Sequence, residues 1–568
     1  MPADKTILDK ISSTVNARLQ SCILFGLLWC LLFILYYPAA KAGFVTDFTG
    51  WLDQVKNHSF WDYVNRTNFH VKSLYQFTQL VTYVFYKLFG IHAWLWHVLF
   101  ISLHALNASL AFTFCARLLD GAGVAKSRLI SCMGAILFCI SPYMSEVIVW
   151  EPSFHFLQGL LMILLILVWV QQFAISGAKK YALLAGLIYF LSTFSLEVFY
   201  ITPWLVLSLA VYYRFTLAEG KKVFNKVMRY FFAPLLLLFF IRLIVFRVLY
   251  GSWVSRIGTD TVTSINLASF GKPAKYLFHL ILVGRFFPND VKQGVYSICD
   301  STVGVILFYA VIVSICAFIV VRFRKMNGAG KVASLLFVYV MITLALLVPI
   351  WFGDMLLVLF DRYIYVTAAF FYMLFAVLVS TIPRQNVRIV IMVVYALVNL
   401  RFAIMVSRYW GKSAKVIHGL LYNIPDAGNK TIILLNLPES LNGTAMIGSE
   451  KESEYKLMHN LLLPGRQISN NIYDALSYNM TTPDDGAHIT VANDSTIHVT
   501  LNQWGTWWWY EGKGGHSYEN SDYKLNLADP GHWYELTLKK PAQQYLLLYQ
   551  NGSQWKTVDM AKRNTDQY

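Results

Sequence analysis

The sequence predicts a polytopic α-helical membrane protein of about eleven spans, followed by a β-rich C-terminal domain. Three observations predict it. The 568 residues are 57% hydrophobic and only 14% charged, with a mean hydropathy of +0.50; a soluble chain carries roughly 25% charged residues. Apolar stretches of 17 or more residues recur along the first ~410 positions, the length a helix needs to cross a bilayer. Beyond them, short β-branched and aromatic runs are bounded by Gly, Pro, Asn and Asp, the signature of strands and turns.

The spans fall at roughly 21–41, 92–116, 129–145, 154–176, 181–196, 198–214, 229–250, 302–322, 332–352, 360–382 and 388–407. The net charge of +16 is spread over short clusters between apolar runs, such as Arg322/Arg324/Lys325/Lys331 and Lys221/Lys222/Lys226/Arg229. With residues 1–20 in the cytoplasm, all these clusters land on the cytoplasmic side, as the positive-inside rule requires. The basic balance is therefore topology, and no nucleic-acid partner is expected. An odd number of spans then places residues 411–568 outside the cell membrane (the inner membrane, in a bacterium). Lys10, Arg18 and the run from Cys22 to "AAKA" (Ala39–Ala42) mimic a signal peptide, but cleavage would remove the first span, so an uncleaved anchor is expected. The seven cysteines contain no CxxC and no disulfide framework, which excludes thiol chemistry as the function.

Residues 21–410 thus form the membrane domain, with long outer loops at 42–91 and 251–301. The first loop contains "SLYQFTQLVTYVFYKLFG" (Ser73–Gly90), apolar on more than one face and so expected at the interface. The second contains "KYLFHLILVGRFFPND" (Lys275–Asp290), too short for a span and read as re-entrant or interfacial. In the C-terminal domain "NKTIILLNLP", "AHITVAND", "TIHVTLNQW", "HWYELTLKK" and "QQYLLLYQNG" read as strands, and "EYKLMHNLLLPG" as a short helix. The stretch Asn502–Tyr523 is aromatic and glycine-rich, suited either to a sugar-stacking surface or to core and interface packing.

Polar residues recur at one expected depth, the outer boundary. Asp47 in "AGFVTDFTGWLDQ" stands just beyond span one, with Asp53 and Asp62 in the same loop. It is either a solvated capping acid or a catalytic one. Glu146 ends span three, near Glu151 and His155, and Glu197 sits in a hairpin with almost no loop, where a carboxylate requires a partner or a task. Arg362 opens span ten beside Asp361, Tyr363 and Tyr365. Its guanidinium could snorkel or grip a phosphate with two parallel hydrogen bonds. Arg242 and Arg247 in span seven allow the same two readings. Acids and an Arg at one boundary suit a ligand with a lipid tail and a phosphate head better than an ion path.

The motifs, taken in order, resemble the GT-C class of membrane glycosyltransferases, above all the dolichyl-phosphate-mannose-type enzymes that mannosylate proteins and their bacterial relatives. "GFVTDF" (Gly43–Phe48) resembles the acidic first-loop motif, with Thr46 in place of its first acid. "WHVLFISLHALNA" resembles span two with its Leu-His, here Leu103-His104. "SPYMSEVIVW" places Glu146 on a family acid. "FSLEVFYITP" resembles the Lys-Glu hairpin, with Leu196 for the Lys and Glu197 retained. "DRYIYV" places Arg362 and Tyr365 on the family Arg and Tyr.

The resemblance implies an inverting transfer from a polyprenyl-phosphate sugar to a glycan, lipid or protein hydroxyl. Asp47 is then the general base, Glu146 a second catalytic residue that positions acceptor or sugar hydroxyls, and Arg362 holds the donor phosphate. Glu197, His104, His155 and Tyr365 position the substrates. No divalent metal is expected. The alternative is a transporter or flippase of a lipid-linked saccharide, which would show inverted repeats and paired broken helices.

Overall fold

The computed structural model describes residues 7–41, 43–45, 48–65, 74–195, 197–251, 253, 266–349, 361–447, 454–463, 465, 468, 471–501, 506–507, 517–527, 533–562 and 566–567. Asp47, Thr46, Leu196 and most of Asn502–Tyr523 lie outside them.

The chain opens with α1 (Ile7–Ala40). Leu24, Leu28, Leu32, Leu35, Tyr36 and Ala39 are buried, while Ile23, Leu27 and Ile34 stay exposed. The buried set recurs every three or four residues, so one stripe faces the bundle and the other face is left to lipid. The first long loop folds into α2 (Phe48–Asn57), α3 (Phe60–Asn65) and α4 (Gln76–Phe89). Then come α5 (Ala93–Gly121), α6 (Ser127–Cys139), the short α7 (Ser145–Val149), α8 (Phe154–Ser176) and α9 (Lys180–Ser192). They are followed by α10 (Thr202–Thr216), α11 (Gly220–Val227) and α12 (Ala233–Tyr250).

The second long loop contributes α13 (Lys272–Leu282) and α14 (Asn289–Asp300). The membrane part closes with α15 (Thr302–Arg322), α16 (Gly328–Ala345), α17 (Tyr365–Ser380) and α18 (Gln385–Tyr422). Among the described residues nine helices are long and apolar enough to cross a membrane. This is a multi-pass membrane architecture. Two expected spans differ. The third is a broken pair, α6 and the Pro142–Val149 segment, bent by 57°. The fifth is α9, whose 13 residues fall short of the ~17–25 that a full crossing uses.

At the bundle centre α5 packs on α1, α6 and α8, and α17 packs on α6 and α16. Gly134 sets the α6–α17 approach: a Cβ there would lie 3.2 Å from the Met373 Cα and 3.2 Å from the Tyr372 carbonyl oxygen. Interhelical hydrogen bonds add to this packing. The Tyr372 hydroxyl donates to Ser141 Oγ at 2.8 Å, and Ser407 Oγ donates to the Leu35 carbonyl at 2.6 Å.

The 38 residues of α18 span about 57 Å at 1.5 Å each, far more than a ~30 Å hydrocarbon core. The composition shift at residue 411 falls inside this helix, and its far end belongs to the C-terminal domain. Val416, Ile417 and Leu420 are buried there, and Trp555 Nε1 donates to the Val416 carbonyl at 3.0 Å. The domain begins with β1 (Thr431–Leu434), β2 (Leu437–Leu441) and β3 (Thr444–Ala445), then α19 (Glu454–Leu462), β4 (Ile472–Asp474) and β5 (Ser477–Met480).

It continues through β6 (Ala487–Val491), β7 (Thr496–Leu501), β8 (Thr506–Trp507), β9 (Tyr518–Glu519), β10 (Tyr523–Leu527) and β11 (Trp533–Leu538). Last are β12 (Tyr545–Asn551), β13 (Gln554–Thr557) and β14 (Asp566–Gln567). Three sheets result, ordered β13-β12-β1-β4, β14-β6-β7-β11-β10-β9 and β3-β2-β5-β8. β1 runs parallel to both β12 and β4, and the six-stranded sheet is antiparallel. Its strands alternate: Tyr534, Leu536 and Leu538 of β11 are buried between more exposed neighbours, as a half-buried sheet requires.

Candidate functional site

Between α6 and α8 the chain makes a covered elbow, Ser141–Ser153. Pro142 opens one 3-10 turn and Pro152 is the second residue of another, because proline lacks the N–H that would continue a helix. The elbow is buried throughout except for the half-buried Trp150. Irregular backbone among membrane helices is tolerated only where protein covers it or a cavity is lined. Two acids lie in it, Glu146 and Glu151, 4% and 0% exposed.

Opposite the elbow, the 3-10 turn Asp361–Ile364 leads into α17. Its first two residues pair in different directions. Glu146 accepts the Arg362 backbone N–H at 2.7 Å and forms an ion pair with the Arg362 guanidinium. That guanidinium lies 4.6 Å above the Trp150 ring and 5.0 Å from the Tyr363 ring centroid, close enough for cation–π attraction. Asp361 instead forms a buried ion pair with Arg285, so it does not hold the fork of its neighbour.

Arg285 arrives by a strained turn. Val283, the residue that caps the end of α13, has φ +55° and is buried, a conformation that β-branched residues seldom adopt. It throws the chain into the short turn Gly284–Phe286, which aims Arg285 back at Asp361. The same guanidinium donates from Nη2 to the Asn442 carbonyl at 2.8 Å. Asn442 (φ +46°) and Gly443 (φ +79°) are the two turn residues between β2 and β3, the Asn-Gly pair that a tight hairpin favours. The C-terminal domain thus lowers a hairpin tip onto the charge cluster. Lys292 Nζ donates to the Arg285 carbonyl at 3.2 Å, adding a third cation beside the two ion pairs.

In this loop, burial and then the Arg285 charge hold the Lys292 ammonium below its ordinary value. Burial, followed by the Arg285 and Lys292 charges, pulls His279 down to about 3. The neutral His279 is held 2.5 Å from the Tyr296 hydroxyl.

One turn deeper lies a second polar set. The Tyr365 hydroxyl is 2.9 Å from His104 Nδ1 and accepts from Asn107 Nδ2 at 3.1 Å. Asn107 also donates to the Leu157 carbonyl at 2.9 Å, so α5, α8 and α17 are joined. His155 lies in the electrostatic field of Arg362, its ring tilted against Phe156 at 4.7 Å, and the Phe156 ring meets Tyr363 edge-on at 5.7 Å. Five expected residues therefore adjoin: Glu146, Arg362 and His155 in the upper layer, His104 and Tyr365 beneath.

Glu197 belongs to a different set. It accepts from the Tyr75 hydroxyl at 3.0 Å and faces Arg242. Asp47 lies outside the described residues, but its flanks dock on the elbow. Val45 and Phe48 are buried, and His97 Nε2 sits 3.2 Å from the Gly43 carbonyl and 3.5 Å from Glu151. Sequence reasoning missed Arg285, Lys292 and His97. Arg285 and Lys292 sit in a loop read only for its apolar run, and His97 is one polar residue inside a span. Their only sequence signal is a charge or imidazole within or beside an apolar segment. No family model and no curated protein matches this chain.

Proposed function

We propose that this chain is an inverting GT-C-type glycosyltransferase, moving a sugar from a polyprenyl-phosphate donor to an acceptor hydroxyl at the outer membrane face. The observation that carries the reading is the meeting of Glu146 and Arg362, 216 residues apart in sequence, in one cluster under the C-terminal domain. Two ion pairs plus Lys292 leave that cluster cation-rich, which suits a phosphate. Glu146 fixes the plane of Arg362 against Trp150, so the donor phosphate meets a guanidinium already oriented. Asp47 takes the acceptor's hydroxyl proton. The acceptor oxygen bonds to the anomeric carbon as the carbon–phosphate-oxygen bond breaks. Polyprenyl phosphate leaves with the electron pair, stabilised by Arg362. His104 and Tyr365 brace the helices beneath, while His155 lines the approach of sugar or acceptor; Glu197, paired with Tyr75 beside Arg242, stands outside this cluster.

The runner-up, a flippase of a lipid-linked saccharide, draws on the broken α6–α7 pair. That architecture calls for breaks in two corresponding halves, and among the described residues a single bent pair occurs. The test is mass spectrometry of surface glycans and glycolipids from cells with and without the gene. A transferase leaves an acceptor short of one hexose or pentose. A flippase instead leaves lipid-linked saccharide accumulating inside, and that result would overturn the proposal.

A further inference from the structure

A second polar nest lies where α9 ends. Because α9 stops after 13 residues, its last carbonyls are not carried to the membrane surface. Arg242 of α12 answers one of them, donating from Nε to the Thr193 carbonyl at 2.8 Å. Much of its helix faces lipid, with Phe240, Ile244 and Val248 exposed, whereas Arg242 is 4% exposed and lies on the buried side with Leu235 and Phe246.

The guanidinium also lies 4.7 Å over the Phe246 ring, which leaves its outer nitrogens without hydrogen bonds. Nη1 and Nη2 are buried and have no hydrogen-bond partner among the described residues, and the same holds for the hydroxyls of Tyr189 and Tyr200. These groups adjoin. Tyr200 lies in the field of Arg242, and Tyr189 in that of Tyr200. Phe199, between them in the fold, meets Tyr189 at 5.9 Å and Tyr200 at 4.7 Å. Glu197 faces the same guanidinium, with one carboxylate oxygen taken by the Tyr75 hydroxyl at 3.0 Å. Glu197 and Tyr200 are half-buried, so the nest lies near the edge of the bundle although the Tyr200 hydroxyl itself is buried.

Buried donors without acceptors are costly. A forked cation with two hydroxyls, near the bundle edge beside a helix with exposed apolar residues, matches the oxygens of a phosphate on a lipid tail. We propose that Arg242, Tyr189 and Tyr200 form a binding site for the phosphate of a membrane-resident lipid, separate from the Glu146–Arg362 cluster. The site does not depend on sugar transfer.

The test is native mass spectrometry of the full chain in detergent, counting adducts of farnesyl phosphate, farnesol and inorganic phosphate. Farnesyl phosphate is expected to bind at least tenfold tighter than farnesol. Arg242→Gln is expected to lose one bound farnesyl phosphate, and Arg242→Lys to keep it with weakened occupancy because the fork is gone. Tyr200→Phe, which removes one oxygen, lowers occupancy severalfold and serves if Arg242→Gln does not fold. Arg247→Gln, at an exposed residue bonded to the Gly251 carbonyl, leaves the count unchanged. Wild-type adducts in both Arg242→Gln and Tyr200→Phe, or farnesol binding as well as farnesyl phosphate, would overturn the proposal. Inorganic phosphate binding as tightly, in an Arg242-dependent manner, would keep the phosphate site and overturn its lipid source.

Discussion

Glu146 holds both ends of Arg362: one carboxylate oxygen accepts its backbone N–H at 2.7 Å and the other pairs with its guanidinium. A single acid therefore fixes where α17 begins and which way its first cation points. With Asp361 paired to Arg285, two adjacent residues bind the elbow on one side and the second loop on the other.

Removing one partner of such a pair leaves a buried charge, worth about 3–5 kcal/mol. Glu146→Ala and Arg362→Ala are each expected to lower the unfolding midpoint of the detergent-solubilised chain by that measure. The double change Glu146→Leu with Arg362→Met should recover most of the loss. Strictly additive losses would show that the two residues are not coupled.

The hairpin contact gives a second expectation. Gly443 at φ +79° accepts a side chain only with strain, and a β-branched one costs most. Gly443→Val should distort the turn and pull the Asn442 carbonyl off Arg285. Hydrogen exchange would then rise both in residues 437–445 and in residues 284–286. Faster exchange in the hairpin alone would mean that the two segments are not linked.

Much of this architecture was legible in the sequence, for identifiable reasons. Apolar length alone locates spans such as α5 and α15, and period-two alternation locates β6, β7 and β11. The break at Ser141–Ser153 is signalled by Pro142 and Pro152, yet its covered position depends on neighbours far away in sequence. The Glu146–Arg362 meeting follows from a shared depth, which topology supplies. Depth does not choose partners, however. Asp361 and Arg362 are adjacent and equally deep, and only packing sends one to Arg285 and the other to Glu146. Likewise Glu197 shares the expected depth but faces Arg242, because α9 is short and its hairpin turns toward α12.

Gly134 tests the packing of the bundle. A Leu there would drive its Cβ against Met373 Cα and the Tyr372 carbonyl, each 3.2 Å away. Overpacking of this kind costs about 1–3 kcal/mol. Gly134→Leu should lower the midpoint accordingly, with Gly134→Ala between it and wild type. A midpoint equal to wild type in Gly134→Leu would show that α6 and α17 are not in this contact.

Asp485 sets a pH expectation in the C-terminal domain. Burial alone would raise its carboxyl, but the hydroxyls and amides of Thr481 and Thr482, at 2.6 to 3.1 Å, win and leave it below the usual value. A depressed folded value means that its stabilisation is complete above the unfolded carboxylate value, about 3.9. It is lost as pH falls through the folded one. Asp485→Asn should flatten that acid loss in a fluorescence melt of the full chain. An unchanged acid profile would remove Asp485 from the account.

The most direct measurement of the central claim is transfer from a polyprenyl-phosphate sugar by purified wild type and Asp47→Asn. The account predicts a fall of about 10²–10⁴-fold in kcat, with the unfolding midpoint unchanged. Transfer by Asp47→Asn within a few fold of wild type would contradict it.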